Sequence, residues 1–348
     1  MAYTTIDKPS DYFNTKLYTG NGSTGHAITG VGFQPDWVWI KSRDSGSDNH
    51  NAFDVVRGAS KGLQPNDTDA EYTASSVHES FNTDGFTLGD NGQVNGSSES
   101  FVSWNWKAGG SASTNTSGST NTSVSVNTDA GFSIVTYPGN STSGATFGHG
   151  LGVKPSMIIT KARTRLSMWN VYHKGLTNYT KGIYLNATDA EFAGGAFEAG
   201  EPNANTFTLT NGTHVNGSGE TYVAYCFAEK KGYSKFGSYT GNGNADGTFV
   251  YTGFKPAFVM QKSTTTTYGW QIYDNKRGGF NPENDELVAN LDSAETDGSG
   301  NGFPDFYSNG FKLRNTDINK NASGVTYIYM AFAENPFVTS TGVPATAR

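Results

Sequence analysis

Cysteine is nearly absent from the sequence, and so are the signatures of several protein classes. Cys226 is the single cysteine, which excludes an internal disulfide framework and a zinc site built from cysteines. No run of about 18 apolar residues occurs, so no membrane-spanning helix is predicted. The formal net charge is −7, whereas a nucleic-acid-binding protein is expected to carry a Lys/Arg-rich patch. The start, MAYTTIDKPS, lacks the positive end and apolar stretch of a secretory signal, which predicts synthesis in a cytosol.

Aliphatic residues are also scarce, and the residues that replace them indicate the fold class. Hydrophobic residues make up 35% of the chain, whereas aromatic residues reach 13% and glycine occurs 44 times. Asn-Gly pairs, which favour two-residue hairpin turns, begin at Asn91, Asn95, Asn211, Asn216 and Asn309. No long segment has the period of an amphipathic helix. Composition and turn signals together predict an all-β chain.

The sequence contains three copies of one pattern. The stretch GFQPDWVWIK (32–41) returns as GVKPSMIITK (152–161) and GFKPAFVMQK (253–262). Four further landmarks recur in the same order: YTGNG, YPGNS and YTGNG; NDTDAE, NATDAE and NLDSAE; DGFTL, NTFTL and NGFKL; NGSSESFVSWNW, NGSGETYVAYCF and NASGVTYIYMAF. A period of about a hundred residues is that of a whole domain with its own core, not that of a solenoid.

The copies and the segments around them divide the chain into six parts. These are an N-terminal segment (1–16), copy 1 (17–108), a linker (109–130), copy 2 (131–231), copy 3 (232–337) and a C-terminal tail (338–348). Each copy is predicted to be an antiparallel β-sandwich of lectin-like or jelly-roll-like form. The linker is rich in Gly, Ser, Thr and Asn and is predicted to be flexible, so that copy 1 is loosely tied while copies 2 and 3 pack rigidly.

Two tryptophans, Trp37 and Trp39, lie two residues apart and therefore on the same face of a strand. They could stack on a sugar ring, or they could belong to the core. Copies 2 and 3 hold Met157 and Phe258 at the position of Trp37. Since methionine does not offer a flat ring to a sugar, the comparison favours a strand buried on both faces.

The other four tryptophans receive the same interpretation. Trp104 and Trp106 lie in the Asn-to-aromatic block, where the other copies also hold large apolar residues. Trp169 and Trp270 are aligned with Phe53 and are predicted to anchor strands. Ligand-binding aromatic residues are expected instead in loops where the copies differ. The candidates are Tyr179, Tyr268 and Tyr307.

No catalytic, cofactor-binding or metal-binding residue is predicted. No pair of carboxylates stands at a motif-like spacing, and the six histidines do not cluster, so a non-enzymatic protein is favoured. Asp67, Asp69 and Glu71 of NDTDAE could offer oxygen ligands to Ca²⁺, but a loop fixed by hydrogen bonds is the preferred interpretation. DGSGNG (297–302) resembles part of a calcium loop and lacks the closing glutamate.

The repeat resembles a domain that occurs, often in tandem, in tail and virion structural proteins of marine bacteriophages (podovirus- and cyanophage-like). The motifs that carry the resemblance are GFQPDWVWIK, VVRG, DAE, DGFTLG and FVSWNWK. The resemblance covers nearly the whole chain, but these motifs are scaffold residues, so no site residue is carried over. It implies a structural protein of the virion surface that is made in the host cytoplasm.

Two functions remain open within that setting. The favoured function is that of a tail-fibre or appendage protein that contacts host cell-surface polysaccharide, and the alternative is a capsid decoration (head knob or fibre) protein with a structural role. A free carbohydrate-binding lectin is a third alternative, disfavoured by the missing signal. The expected partners are other virion proteins, docked through residues 1–16 and 338–348, and further copies of the chain in a homo-oligomer. Neither nucleic acid nor a membrane is expected as a partner.

Overall fold

The chain folds around β-strands, as its composition predicts. The computed structural model describes residues 2–297 and 303–344, and the strands pair antiparallel within six sheets. Helical segments among these residues are single turns: a 3-10 turn (Pro9–Asp11), α1 (Gly92–Asn95) and α2 (Thr213–Asn216). The predicted all-β class is confirmed.

Each copy contributes a consecutive set of strands. Copy 1 forms β1 (Phe13–Thr19), β2 (His26–Thr29), β3 (Trp37–Ser42), β4 (Asn51–Asp54), β5 (Lys61–Leu63), β6 (Tyr72–Thr73), β7 (His78–Asn82), β8 (Gly85–Leu88) and β9 (Ser100–Trp106). Copy 2 and the segment before it form β10 (Ser113–Asn115), β11 (Thr122–Asn127), β12 (Phe132–Pro138), β13 (Ala145–Gly148), β14 (Met157–Ala162), β15 (Asn170–His173), β16 (Lys181–Tyr184), β17 (Phe192–Ala193), β18 (Thr206–Leu209) and β19 (Thr221–Phe227). Copy 3 forms β20 (Ser234–Thr240), β21 (Phe249–Tyr251), β22 (Phe254–Ser263), β23 (Gln271–Asp274), β24 (Asp285–Val288), β25 (Thr296–Asp297), β26 (Asp305–Tyr307), β27 (Gly310–Lys312) and β28 (Thr326–Pro336).

In every copy a large sheet packs on a small one. The large sheet of copy 1 has the order β1-β9-β3-β4-β5-β6, and copy 3 repeats it as β20-β28-β22-β23-β24-β25. The small sheets are β2-β8-β7, β13-β18 and β21-β27-β26. Apolar side chains between the two layers form a separate core in each copy. The predicted antiparallel β-sandwich is therefore present in each repeat.

The prediction of a flexible linker at residues 109–130 is wrong. This segment forms β10 and β11, which extend the large sheet of copy 2 to the order β10-β11-β12-β19-β14-β15-β16-β17. Strand β11 pairs along β12, and Val124 lies in the core of copy 2. A polar segment can be ordered in this way because the edge of an existing sheet offers backbone hydrogen bonds that composition does not reveal.

The six tryptophans are buried, as predicted, and the core that they join belongs to all three copies. Trp37 of copy 1 stacks on Tyr225 of copy 2 with ring centroids 4.4 Å apart. Phe332 of copy 3 lies 5.8 Å from Trp106 of copy 1 and 6.1 Å from Phe227 of copy 2. Each large sheet thus packs one face on its own small sheet and the other on the neighbouring copies. This double burial explains why β3, β14 and β22 are buried at every position.

The three copies close into a ring in which each copy contacts the next in the same way. The glutamate of each DAE or SAE stretch donates its backbone N–H to a carbonyl of the next copy: Glu71 to Arg163 (2.8 Å), Glu191 to Thr264 (2.9 Å) and Glu295 to Arg43 (2.8 Å). The third contact returns from copy 3 to copy 1, as in a cyclic trimer with head-to-tail interfaces. We call the interfaces junction 1–2, junction 2–3 and junction 3–1. Copy 1 is part of two junctions, so the expectation that it is loosely tied is wrong.

An indole or imidazole side chain makes a hydrogen bond across each junction. Its N–H donates to a carbonyl of the preceding copy: Trp169 to Gln64 (2.9 Å), Trp270 to Tyr184 (2.9 Å) and His50 to Val288 (3.2 Å). The backbone N–H of each ring residue also binds an asparagine side chain of its own copy. His50 is therefore the equivalent of Trp169 and Trp270. Their alignment with Phe53 is wrong by three residues.

Junction 1–2 buries an ion pair. The side chains of Asp54 and Arg57 are fully buried and lie 2.5 Å apart, and Arg57 also lies 3.2 Å from Glu71. From copy 2, the Tyr225 hydroxyl donates to Asp54 at 2.8 Å, and Arg163 donates to Glu71 at 2.8 and 2.9 Å. Every charged group of the cluster therefore has a partner of opposite charge, as burial requires.

Junction 3–1 repeats this cluster. Arg277 pairs with Asp274 at 2.6 Å and with Glu295 at 2.9 Å. From copy 1, the Trp104 indole donates to Asp274 at 3.0 Å, and Arg43 binds Glu295. Arg57 and Arg277 thus occupy equivalent positions. In both junctions, side chains of the next copy bind the carboxylates that pair with the arginine.

Junction 2–3 lacks both charges of the pair. His173 stands in place of the aspartate and Leu176 in place of the arginine. His173 accepts at Nδ1 from Gly175 and donates through Nε2 to the Tyr329 carbonyl at 3.0 Å. Since the two charges are absent together, no ion is left buried without a partner.

The ends of the chain pack on the folded copies. Ile6 lies in the shared core, and Thr4 donates through its hydroxyl to the Lys231 carbonyl at 2.8 Å. Strand β1 begins at Phe13, inside the segment that the repeats leave out. Ser340 of the C-terminal tail donates its backbone N–H to Asp7 at 2.6 Å. Docking onto a particle through these ends stays a prediction, but residues from Phe13 onward belong to the sheet of copy 1.

None of the five Asn-Gly pairs supplies the two central residues of a hairpin turn as expected. Asn309 does lie in the two-residue loop between β26 and β27, but Gly310 already belongs to the strand. None of Asn91, Asn95, Asn211, Asn216 and Asn309 has the positive φ that those turns need. Asn95 is instead fully buried: its side chain accepts from the Asn21 N–H at 2.8 Å and donates to the Gly89 carbonyl at 2.7 Å. Asn216 and Asn321 make the matching bonds in the other copies. The repeated asparagine therefore ties two loops together in each copy.

We predict that Arg57→Leu lowers the free energy of unfolding by about 3–5 kcal/mol, because it leaves Asp54 buried without its cation. The double variant Asp54→His/Arg57→Leu carries the residues of copy 2 and should recover at least half of that loss. Urea unfolding followed by tryptophan fluorescence measures both. Lys154, whose pair with Glu201 is exposed, provides the control, and Lys154→Leu should cost less than about 1 kcal/mol. If the double variant loses as much free energy of unfolding as Asp54→His and Arg57→Leu lose when their separate losses are added, the account is contradicted.

We also predict that stability falls steeply in mild acid. Burial lowers the pKa of His50 and His78 to about 3 and that of His173 to about 4. In the unfolded chain an imidazole takes up its proton near pH 6.5. The unfolded state therefore binds more protons below that pH, so stability is retained above about pH 6.5 and is lost as the pH falls toward 4. Each histidine should add about 1.4 kcal/mol per pH unit to the slope of the free energy of unfolding against pH in this range.

One variant isolates a single histidine. His78 stacks on Phe53 in copy 1, as Phe197 packs on Tyr172 in copy 2, so His78→Phe should fit the site. We expect it to remove about one third of the slope that the three histidines produce. Unfolding free energies measured from pH 7 to pH 4.5 test this. An unchanged slope would mean that His78 is not neutral in the fold.

Candidate functional site

Copy 3 carries exposed aromatic residues on the outer face of its small sheet. In β21, Val250 points into the core, whereas Phe249 and Tyr251 are 44% and 54% exposed. Strand β21 is an edge strand, and on the far side of the same sheet β26 contributes the half-buried Tyr307. The alternation along β21 puts two rings on the solvent side, next to the ring of Tyr307. We call Phe249, Tyr251 and Tyr307 the aromatic face.

A glycine makes this face low and flat. Gly310 lies between the two outer strands and pairs with both Tyr251 and Tyr307. A Cβ at this position would lie 2.9 Å from the ring of Phe249 and 2.2 Å from the Val250 carbonyl oxygen, so no side chain fits there. The rings of Phe249 and Tyr307 meet edge to face, with centroids 6.1 Å apart. The arrangement leaves aromatic surface open to solvent over the glycine.

Charged side chains border the aromatic face, and they are paired with one another. Lys312 lies 2.5 Å from Asp246, and Arg314 lies 3.3 Å from Asp305. Tyr307 donates to Asp305 at 3.0 Å, and burial together with this bond raises the pKa of Tyr307. The two acids balance the two bases, so the border offers hydrogen-bonding groups without a strong field of either sign.

The N-terminal segment extends the aromatic face toward the chain ends. Tyr3 donates to the Gly253 carbonyl at 2.6 Å, and its hydroxyl lies 3.5 Å from that of Tyr251. Its ring also meets Phe337 edge to face at 6.2 Å, and the ammonium of Lys231 lies over it at 4.4 Å. Aromatic surface thus continues from the small sheet to both ends of the described chain.

The other copies do not repeat this face. In copy 1, Ala27 and Thr29 occupy the positions of Phe249 and Tyr251. In copy 2 the same positions are Thr146 and Gly148, and residues 119–122 bind that edge through Ser119 and Thr122. The aromatic face is therefore a specialisation of copy 3.

A family model described as Domain of unknown function (DUF7483) matches residues 8–336. The chain belongs to the DUF7483 family. The match extends across all three copies, which agrees with a fold in which the copies share one core. No curated protein and no solved structure matches the chain.

The three predicted ligand tyrosines of this DUF7483 chain lie apart from one another. Tyr307 was expected in a loop, but it lies in strand β26 and belongs to the aromatic face. Tyr179 lies in the loop after β15 of copy 2 at 36% exposure, and Tyr268 is half-buried in the loop before Trp270. Sequence reasoning missed Phe249 and Tyr251. The signal that could have found them is the alternation in FVY, at positions where the other copies hold small or polar residues.

Two of the three carboxylates considered for Ca²⁺, those of Glu71 and Asp67, serve other contacts. Glu71 binds Arg57 and Arg163 at junction 1–2, and Asp67 accepts from the Thr68 N–H of its own loop. Within residues 2–297 and 303–344, no group of three or more His, Cys, Asp or Glu side chains could hold a metal ion. The calcium-like stretch after Asp297 lies outside the described residues. Among the residues that the structure describes in this DUF7483 chain, no helix qualifies by length and hydropathy as a membrane span.

Proposed function

We propose that this protein is a non-enzymatic structural protein of a virion surface that contacts host polysaccharide through the aromatic face of copy 3. The observation that carries the proposal is the exposure of Phe249 and Tyr251 on a sheet face that copies 1 and 2 keep free of aromatic residues. An exposed cluster of aromatic side chains costs solubility, so its presence in one copy of three points to a bound partner.

Polysaccharide is the partner that this chemistry fits best. A sugar ring presents an apolar face of C–H groups that packs on an aromatic ring, and its hydroxyls bind polar groups at the border. The paired side chains of Lys312, Asp246, Arg314 and Asp305 can both donate to and accept from hydroxyls. Since their charges balance, we expect a neutral sugar chain to bind better than an acidic one.

The virion setting is supported by the resemblance of the repeat to tail and virion structural proteins of marine bacteriophages. A single face on each chain binds a sugar chain weakly, because such contacts are small and open to water. Display of many chains on one particle would convert weak contacts into firm attachment. Avidity in this proposal therefore comes from the number of chains and not from the three copies in each chain.

A capsid decoration protein is the second candidate function, and one observation favours it. The aromatic face adjoins Tyr3 and Phe337, near the ends of the described chain, where docking onto another virion protein was predicted. In that case the aromatic rings would be covered by the neighbouring protein on the particle and would not contact sugar.

We predict that the protein is retarded in native gels cast with a neutral polysaccharide such as a glucan or a galactomannan. The double variant Phe249→Ala/Tyr251→Ala should bind at least about 30-fold more weakly, corresponding to about 2 kcal/mol. Thr29→Ala alters the position of copy 1 that matches Tyr251 and should leave retardation unchanged. If no polysaccharide retards the chain, or if the double variant is retarded as strongly as the natural protein, polysaccharide binding by this face is excluded.

Gold-labelled antibody on intact particles tests the virion setting. Label confined to the tail is the expected result and agrees with host contact. Label spread over the head would favour the decoration function, and particles without label would contradict both.

A further inference from the structure

We infer that copy 1 contains a second carbohydrate site, a cleft that receives a single sugar residue. The cleft has a volume of about 300 Å³, the lower end of the range for small-molecule sites, and lies between the loop after β5 and helix α1. Its polar lining residues are Gln64, Asp69, Tyr72, Asn91 and Gln93, and Val77 is part of its apolar lining. The inference rests on the proposed function for its ligand class, but it uses none of the residues of the aromatic face.

A chain of hydrogen bonds holds the lining in place. The Tyr72 hydroxyl donates to the Asn51 side chain at 2.6 Å, and Asn51 donates to Gln93 Oε1 at 3.4 Å. Gln64 donates to the same Gln93 oxygen at 3.3 Å. Asn91 caps helix α1 by accepting from the Gln93 N–H at 2.9 Å. The positions of the amides are thus set before a ligand arrives, which lowers the cost of binding.

Several polar atoms of the cleft are left over for a ligand. Within the described residues, Gln93 Nε2 and Gln64 Oε1 make no hydrogen bond, and neither does the carboxylate of Asp69. An amide N–H₂ donates to a hydroxyl, whereas an amide oxygen and a carboxylate accept from hydroxyls. Donors and acceptors that converge beside a tyrosine ring suit the alternating hydroxyls of a sugar. The single negative charge disfavours an acidic sugar.

The equivalent places in the other copies differ. Tyr184 and Phe192 of copy 2 match Gln64 and Tyr72, and their rings pack together with centroids 4.5 Å apart. In copy 3 the same positions are Val288 and Thr296. Copy 1 therefore places an aromatic ring beside amides that each keep one hydrogen-bonding atom without a partner among the described residues, while copy 2 places two rings against each other there.

The copies also supply the variant that tests the cleft. Gln64→Tyr/Tyr72→Phe gives copy 1 the side chains of copy 2 and should fill the cleft without unfolding the chain. Saturation-transfer NMR with methyl glucoside, methyl galactoside, methyl mannoside and N-acetylglucosamine provides the readout. We expect at least one of these sugars to bind the natural protein and to bind the filled variant at least tenfold more weakly. Phe249→Ala/Tyr251→Ala should leave this binding unchanged.

The outcomes separate the two proposals. If none of the four sugars shows transfer from the natural protein, the cleft is not a sugar site, whatever the polysaccharide gels show. If the filled variant binds as well as the natural protein while its far-ultraviolet spectrum is unchanged, the inference is also overturned. Retention of methyl glycoside binding in a chain that no polysaccharide retards would uphold the cleft and reject the aromatic face. A second variant, Gln93→His/Tyr72→Phe, removes the Gln93 amide and the Tyr72 hydroxyl without filling the cleft. It provides the test should the first variant fail to fold, and it should also weaken sugar binding at least tenfold.

Discussion

The stacking of Trp37 on Tyr225, with ring centroids 4.4 Å apart, joins two copies of the repeat and represents the contact on which the whole molecule depends. Around it, aromatic and aliphatic side chains of all three large sheets form one core. Each sandwich is therefore complete only in the presence of its neighbours, because one face of its large sheet is covered by them. Aromatic pairs of this kind contribute about 0.5–1.5 kcal/mol each beyond the area that they bury, and here they recur around the ring.

A shared centre leaves the outer surfaces free to diverge. Copy 3 carries the aromatic face of Phe249, Tyr251 and Tyr307, copy 1 has an open polar cleft beside Tyr72, and copy 2 binds residues 119–122 along its small sheet. At the junctions, the two residues of the buried ion pair are either both present or both absent. Copies 1 and 3 hold an arginine paired with an aspartate at the junction. Copy 2 holds Leu176 and His173 at these two positions, so that no charge is buried there without a partner, which would destabilise the ring. The copies thus differ at paired positions together in the junctions, whereas on the outer surfaces each copy differs at single positions.

The features that depend on local pattern were predictable from the sequence, whereas those that depend on neighbours were not. Apolar positions repeated in three copies identified Trp37 and Trp39 as core residues, because each copy served as a control for the others. The order of residues 109–130 arises from pairing with β12, and composition carries no trace of that pairing. The equivalence of His50 with Trp169 and Trp270 was missed because the residue types differ. Their backbone hydrogen bonds to an asparagine side chain are the same, but these are visible only in the structure. Tyr307 was predicted as a loop residue but lies in strand β26, and only the strand register shows that Phe249 lies beside it.

Differential scanning calorimetry of the whole chain tests the shared core most directly. If the three copies depend on one another for burial, they should unfold together, and the calorimetric enthalpy should equal the van 't Hoff enthalpy of a single transition. Three copies that fold independently of the core between them would give resolved transitions, or a calorimetric enthalpy about three times the van 't Hoff value. The first result is the one that the ring predicts, and the second would contradict it.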